Sequence, residues 1–445
     1  MGQRARILAQ IVGFPGFKVV DAHFEDEAGG RVEPVSGYEV PSHCGLVLTV
    51  VRRWTPRCAT CSAIGGRCHE QLAPRRWRDL PWAGRQTTIV YTPIRVDCKR
   101  CGSHAVERLS WADPHQRQTK RFQQHIALDA FSMPLLHVAT KYGIDWSTVR
   151  RAESEAFDRW DKTRTKTPLT RVGIDEKWLG RRHRGVHKFV TIVSDLDTGE
   201  PVWFGYGRDE SAVARWLALL SVEEKRAIRV VAADMHRPFF NAIRADDILA
   251  NVPFVHDPFH ILKRAGEAVS ELRRATFFRA GAELRSVGRG TRWLVLRPWE
   301  RMNDDEHAQL RALFSFNSKL ARAYQVLEQL RLALRAPDAA SLSCGLMHIL
   351  LRTEKRANVP MRKLHDSLKR HWNEILALAE HRPPTGRIEA LNNNWESLVR
   401  RGRGYRDHEY LFRKLRFMTA NPVRTDDGVQ RFLALGIPTP HRRIA

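Results

Sequence analysis

Residues 171–180 read "RVGIDEKWLG". The apolar run Val172-Gly173-Ile174 has the makings of a buried strand, and it ends in two adjacent acids, Asp175 and Glu176. The chain has 445 residues, with 74 Lys and Arg against 49 Asp and Glu, a formal charge of +25. Acids are therefore the scarce charged type. One explanation for them here is ordinary, since strand ends meet water and Asp opens turns. The other is that Asp175 holds a metal ion.

Working outward, apolar runs predict strands near 171–176, 187–194, 201–206, 229–234 and 253–257, with helices between and after. The fourth run, in "IRVVAADMHRPF", closes on Asp234. Asp234 is also a good N-cap for the helix that follows. A third acid, Glu389, stands in "PPTGRIEALNNNWESLVRR". A Glu in a first helical turn gains about 0.3–1 kcal/mol from the helix dipole alone. Singly these acids are unremarkable. Together, an acid on the first strand, one on the fourth and one on a later helix match a ribonuclease-H-like layout. Its chemistry needs carboxylates, because two Mg²⁺ roughly 3.5–4 Å apart stabilise both oxygens of an in-line phosphoryl displacement. Mg²⁺ and Mn²⁺ favour such oxygen donors.

From about 263 to 384 the chain reads as nearly all helix, and "NDDEHAQLRALF" opens one segment with Asn303 as cap and Glu306 three residues on. "PPTG" at 383–386 breaks the helices, and a basic helical region runs on to about 418. The tail "IPTPHRRIA" is expected to fray.

Toward the N-terminus, residues 1–50 read as short strands and turns. The opening "MGQRARILAQIVGFPGF" mimics a secretion signal, but Gln10, Gly13, Pro15 and Gly16 break the apolar stretch. "CATC" and "CKRC" place Cys58, Cys61, Cys98 and Cys101 as two chelating turns. Four thiolates at about 2.3 Å satisfy a structural Zn²⁺. Cys68 and His69, inside the intervening 36 residues, are alternative donors, and Cys344 reads as a small core residue. "QTTIVYTPIRVDC" predicts a strand feeding the second turn.

Residues 135–157, "LLHVATKYGIDWSTVRRAESEAF", have the spacing of a helix-turn-helix. Val138, Ile144 and Val149 would pack inside, with Ser147, Thr148, Arg150 and Arg151 facing a DNA major groove. The large basic excess implies a polyanionic partner, because phosphate neutralisation releases counterions. No stretch supplies the roughly 20 apolar residues of a membrane span. Seven cysteines, an odd count with two paired spacings, suit metal in a reducing compartment, so a cytoplasmic, nucleoid-associated protein is expected.

With these motifs in order, the chain resembles the ISL-three family of bacterial insertion-sequence transposases. The likeness rests on the paired Cys turns, "RRWRDLPWAGR" (75–85), the helix-turn-helix, "GIDEKWLG" (173–180) and "SDLDTGEPVWFGYGR" (194–208). It continues through "ADMHRPF" (233–239), "HDPFHILK" (256–263) and "TGRIEALNN…RRGRGYRDHEYLFRKLRF" (385–417). The last two are the most specific.

The resemblance implies a DDE transposase with Asp175, Asp234 and Glu389 as its metal-binding triad, two Mg²⁺ or Mn²⁺ per site, and structural zinc. It implies binding to terminal inverted repeats, then cleavage and strand transfer into target DNA, by a dimer or larger homo-oligomer. Rival functions are a structure-directed nuclease on the same fold and a domesticated DNA-binding regulator. Asp257 and His260 match a family signature, either as an Asp–His hydrogen bond under the site or in catalysis. Asn392 and Asn393, three and four residues beyond Glu389, would orient a metal-bound water or a phosphate oxygen, while Arg400, Arg401, Arg403 and Arg406 would contact DNA. The chain departs from the family at Ala390, where Gly is usual, and at Asn394 and Glu396, where Lys is frequent.

The expected fold class is therefore multidomain, α+β and α/β. Residues 1–115 would form a β-rich zinc-binding domain and 116–168 the helix-turn-helix domain. A ribonuclease-H-like core would comprise 169–262 and the helix 385–420, interrupted by an all-α insertion over 263–384. Residues 421–445 would be the tail.

Overall fold

The computed structural model describes residues 13–33, 39–165, 167–179, 188–278, 285, 288–354 and 358–435. Residues 1–12, Gly180 and 436–445 lie outside the described residues, whereas Asp426–Ala434 of the expected tail is helical. The chain forms two compact units, Met1–Thr165 with Val399–Ala445, and Lys166–Leu398.

In the first unit, five strands pair in the order β2-β1-β3-β6-β5. They are β1 (Phe17–Glu25), β2 (Arg31–Val32), β3 (Gly45–Arg52), β5 (Arg75–Trp82) and β6 (Arg85–Tyr91). "WAGR" makes the β5–β6 hairpin, with Ala83 and Gly84 both at positive φ, 50° and 77°. That is the turn whose twist matches paired strands. Phe17, Trp77, Ile89 and Trp111 fill the core beneath, with the two indoles edge to face at 5.1 Å.

A separate ribbon, β4-β7-β8, comprises Arg67–Gln71, Ile94–Asp97 and His104–Val106. The single strand expected over "QTTIVYTPIRVDC" is thus two, β6 and β7, in different sheets. Thr92 and Pro93 separate them, and proline has no N–H to continue a ladder. β7 does lead into the second Cys turn, as its sequence implied.

Three helices follow, Lys120–Ser132, Leu135–Tyr142 and Trp146–Asp161. Val138 and Val149 are fully buried between them with Phe122 and Ile126, and Ile144 packs alongside. Gly143 ends the middle helix in the left-handed conformation (φ 58°, ψ 48°), a C-terminal position that glycine fills without a Cβ penalty.

The helix His408–Ala420 belongs to this unit rather than to the catalytic block in which the sequence placed 385–420. Tyr410 and Phe417 pack with Ala127, Ala156 and Phe157 of the three-helix group. Buried Lys414 donates to Glu153 Oε1 at 2.8 Å and to the Ala130 carbonyl at 2.9 Å. "YLFRKLRF" therefore has packing work to do, which explains an apolar face broken by one lysine.

In the second unit, five strands run in the order β11-β10-β9-β12-β13. β9 (Arg171–Trp178) pairs antiparallel with β10 (Phe189–Asp195), and β10 with β11 (Pro201–Tyr206). On its other side β9 pairs parallel with β12 (Val230–Ala233), and β12 with β13 (Phe254–His256). Central strands covered on both faces are apolar without alternation, which is how β9, β10 and β12 read.

The helices Pro258–Phe277, Asp304–Phe316, Ser318–Ala333, Ala339–Glu354, Val359–Arg370 and Trp372–His381 form the all-α part. Their core is built from Leu272, Leu327, Leu346, Ile349, Leu364 and Ile375 among others. Asn303 and Glu306 form the reciprocal capping box that their spacing implied. The first helix runs unbroken across 262 and 263, so the expected boundary there falls inside it. Cys344 is exposed, contrary to its reading as core, because Leu342, Leu346 and Ile349 occupy the buried face of its helix.

Candidate functional site

Parallel pairing aligns Ala233 of β12 with Ile174 of β9 and with His256 of β13. The next residues along, Asp175, Asp234 and Asp257, therefore stand side by side at one end of the sheet. Asp175 and Asp257 are buried and Asp234 is half-buried. The sequence marked the first two as a pair and Asp257 only as support. The register makes all three neighbours.

Burial raises the Asp234 carboxyl above the usual range, and the negative charge of Asp175 adds to it, while His260 opposes. Asp257 is raised by burial too, against a hydrogen bond from the Phe259 amide and the field of His260. Glu176 is pushed up to about 7, through burial and the charges of Asp234 and Asp175. Its Oε2 is buried with no hydrogen-bond partner among the described residues. Glu176 was not singled out for the site, and only its position beside Asp175 signalled it. A divalent cation would relieve the mutual repulsion of these desolvated carboxylates, and among the described residues no three of them bring ligand atoms within 4.8 Å of one another.

Local contacts fix each acid. Asp234 Oδ1 accepts from the His236 amide at 2.9 Å, and Asp257 Oδ1 caps the following helix through the Phe259 amide at 3.1 Å. His260 Nε2 lies 4.0 Å from Asp257 Oδ2, so the expected Asp–His hydrogen bond is not made. Asp175 Oδ2 accepts from Asn392 Nδ2 at 2.7 Å, with Lys177 Nζ at 3.7 Å.

Asn392 sits on the helix Gly386–Arg401, one turn beyond Glu389. This helix approaches β9 closely. A Cβ on Gly173 would lie 2.7 Å from Leu196 and Ser194 side-chain atoms and 3.1 Å from Ile388 Cγ1, so only glycine fits. Ile388 is buried with Leu196 and Ala232, and Arg387 Nη1 donates to the Leu196 carbonyl at 2.9 Å.

Glu389 itself is exposed, as is Asn393. Among the described residues, the carboxylates of Asp175, Asp234 and Glu389 do not all lie within 4.8 Å of one another. Ala390 and Glu396 point away from the buried face made by Ile388, Leu391, Trp395 and Leu398, so those departures leave its packing intact.

The four predicted thiols do converge. Cys58 Sγ is 3.7 Å from Cys101 Sγ, Cys61 Sγ is 3.6 Å from Cys98 Sγ, and all four lie within 4.8 Å. Sulfurs about 3.8 Å apart are what a tetrahedral ion with bonds of about 2.3 Å requires. Both turns are alike, with Ser62 and Gly102 at positive φ, 60° and 69°. The Cys61 and Thr60 amides pull the Cys58 thiol down to about 6, toward the thiolate that binds metal. Cys68 is exposed and outside the cluster, and His69 pairs instead with Asp97 at 3.3 Å.

On the second helix of the helix-turn-helix, Ser147 and Arg151 are exposed and Thr148 half-buried. Arg150 pairs with Asp407 and lies over the Tyr410 ring at 4.7 Å, so it serves the fold of its own unit. Of the later arginines, Arg400, Arg403 and Arg406 are exposed, whereas Arg401 donates to the Ser132 carbonyl at 3.0 Å. Arg403 has φ of 54° and Gly404 of 96°, which ends the helix sharply.

Comparison with known proteins agrees with this architecture. A family model described as "Transposase" matches residues 172–415, and one described as "Helix-turn-helix domain of transposase family ISL3" matches residues 107–155. The chain is 26% identical over 397 residues to the transposase for insertion sequence element IS1001 of Bordetella parapertussis, covering 88% of this chain and 96% of that one. It is 24% identical over 437 residues to the transposase for insertion sequence element IS1557 of Mycobacterium tuberculosis, covering 92% and 94%. The first of these matches spans more than half of the 445 residues and starts at the strand that carries Asp175. This chain belongs to the ISL3 family of insertion-sequence transposases.

Proposed function

We propose that the chain acts at phosphorus as a DDE enzyme, with Asp175, Asp234 and Glu389 holding two divalent cations, Mg²⁺ or Mn²⁺. The observation that carries this reading is the alignment of Asp175 with Asp234 on adjacent parallel strands, with the Glu389 helix tied to Asp175 through Asn392. The strand order, three antiparallel strands continued by two parallel ones, supports a ribonuclease-H-like core. When bound, the cations neutralise charge on the attacking and leaving oxygens of the displacement.

The chain's own groups do the rest. Asn392 donates to one carboxylate oxygen of Asp175 and so fixes the orientation of that acid. The His236 amide orients Asp234, and the field of His260 moderates the negative charge on Asp234 and Asp257. In the first step water displaces the 3′-oxygen at the element's end, freeing a 3′-hydroxyl. That hydroxyl then attacks a target phosphate and expels the target's own 3′-oxygen, with no covalent enzyme intermediate.

The Cys58, Cys61, Cys98 and Cys101 cluster holds a structural Zn²⁺, and the helix-turn-helix reads the terminal repeats through Ser147, Thr148 and Arg151. Because two ends must be joined in one event, the working form is a dimer or larger, acting on the nucleoid in the cytoplasm. Family membership disfavours the nuclease and regulator alternatives. The test is joining of a repeat-bearing duplex to a target plasmid in Mg²⁺. Cleaved ends that are never joined would favour the nuclease.

A further inference from the structure

A cavity of about 390 Å³ in the first unit is lined by Arg75, Arg76, Arg78, Thr88 and Arg117. Strand alternation explains part of this set. Trp77 and Asp79 of β5 go into the core, which leaves Arg76 and Arg78 on the other face, and Thr88 of β6 is the register partner of Arg78. The Arg78 amide donates to the Arg117 carbonyl at 2.8 Å, which brings the segment before the first helix to the same spot.

The wall is strongly unbalanced in charge. Glu25 pairs with Arg76. Among the described residues no carboxylate pairs with Arg75, Arg78 or Arg117. Arg75 is held over the Trp77 ring at 5.0 Å, which positions its guanidinium without neutralising it.

Arg78 is half-buried. Its Nη2 donates to the Tyr142 carbonyl at 2.9 Å, and its Nε is buried with no hydrogen-bond partner among the described residues. A partly desolvated guanidinium is costly, and the charge of a nearby anion offsets that cost. Phosphate suits best, since its oxygens match the planar fork of donors.

The cavity also has a telling address. Tyr142 ends the first helix of the helix-turn-helix, and Gln86 Nε2 lies 3.1 Å from where a Gly143 Cβ would stand. The arginine wall and the helix-turn-helix turn are thus one continuous surface. We propose that this cavity binds phosphodiester groups of the DNA backbone beside the bases read by the recognition helix. The proposal deepens the reading of the helix-turn-helix as the repeat-binding element and rests on it. Such contacts set register and affinity but carry no sequence information.

The test measures affinity against KCl concentration for the full-length protein, on a terminal-repeat duplex and on a random duplex of equal length. Arg75→Gln combined with Arg117→Gln removes two wall charges while leaving Arg78 and its packing in place. The log–log salt slope should become shallower by about 2 on both duplexes, since each lost phosphate contact removes roughly 0.9. The preference for repeat over random DNA should stay the same. Arg31→Gln, at an exposed arginine of β2, should leave the slope unchanged. An unaltered slope in the double variant, or an equal change from Arg31→Gln, overturns the proposal while repeat binding stands. A wild-type protein that shows no repeat preference but loses slope in the double variant keeps the cavity and defeats the helix-turn-helix reading. A wild-type protein that binds neither duplex defeats both.

Discussion

The side-chain amide of Asn392 donates to Asp175 Oδ2 at 2.7 Å, linking residues 217 apart in sequence. It ties the helix of Glu389 to the central strand and fixes the rotamer of the acid at the strand's end. Hydrogen bonds to charged groups contribute about 1.5–3 kcal/mol. Asn392→Ala should therefore slow strand transfer roughly 10- to 100-fold, with repeat-DNA affinity unchanged. Single-turnover joining and equilibrium binding on the same preparation check both halves. A loss confined to binding would place Asn392 at the DNA surface instead.

The thiol cluster makes a separate prediction. Cys58→Ser or Cys101→Ser should remove about one zinc per chain and unfold the β4-β7-β8 ribbon, because the energy of such a site is folding energy. Elemental analysis and near-ultraviolet circular dichroism report the two effects. Zinc content equal to wild type would dissociate these thiols from metal binding.

The pair Lys414 and Glu153, both nearly inaccessible, predicts a stability effect remote from the chemistry. Lys414→Met leaves a buried carboxylate without its cation and should destabilise the first unit by about 3 kcal/mol. Adding Glu153→Gln should recover most of that loss. Denaturant titration of the two variants measures it, and an additive double variant would mean that the two side chains do not interact.

Acid should weaken the second unit through two histidines. His256 Nε2 and His371 Nδ1 are 2.9 Å apart and buried. Burial pushes His256 down to about 3 and His371 to about 4, from an ordinary 6.5. The fold thus holds both neutral, whereas the unfolded chain takes up protons below about 6.5. Their contribution is complete above about pH 6.5 and is lost as pH falls toward 4 and then 3. Denaturation midpoints should fall over that window, and less steeply in His371→Gln. A His371→Gln profile parallel to wild type would put the acid sensitivity elsewhere.

Much of this was legible in the sequence, because periodicity and chain punctuation are local. The five strands of the second unit, the capping box at Asn303 and the helix-turn-helix interior of Val138, Ile144 and Val149 follow from patterns within single segments. What was not legible depends on pairing between segments. Asp257 joins Asp175 and Asp234 only because two parallel registers align, and Glu176 is desolvated only by what surrounds it. Arg150 looked free for DNA because its partners, Asp407 and Tyr410, lie more than 250 residues away. The same distance hid the membership of His408–Ala420 in the first unit.

The most direct test of the acid-centred mechanism is joining of a pre-cleaved repeat end to target DNA in Mg²⁺, measured for wild type, Asp175→Asn, Asp234→Asn and Glu389→Gln. These near-isosteric changes remove charge and little else. Each variant should bind the end as wild type does and give no detectable joining, with Mn²⁺ in place of Mg²⁺ restoring none of them fully. Joining at the wild-type rate by Asp234→Asn, which stands between Asp175 and Asp257 in the row, would contradict the assignment of the reaction to these carboxylates.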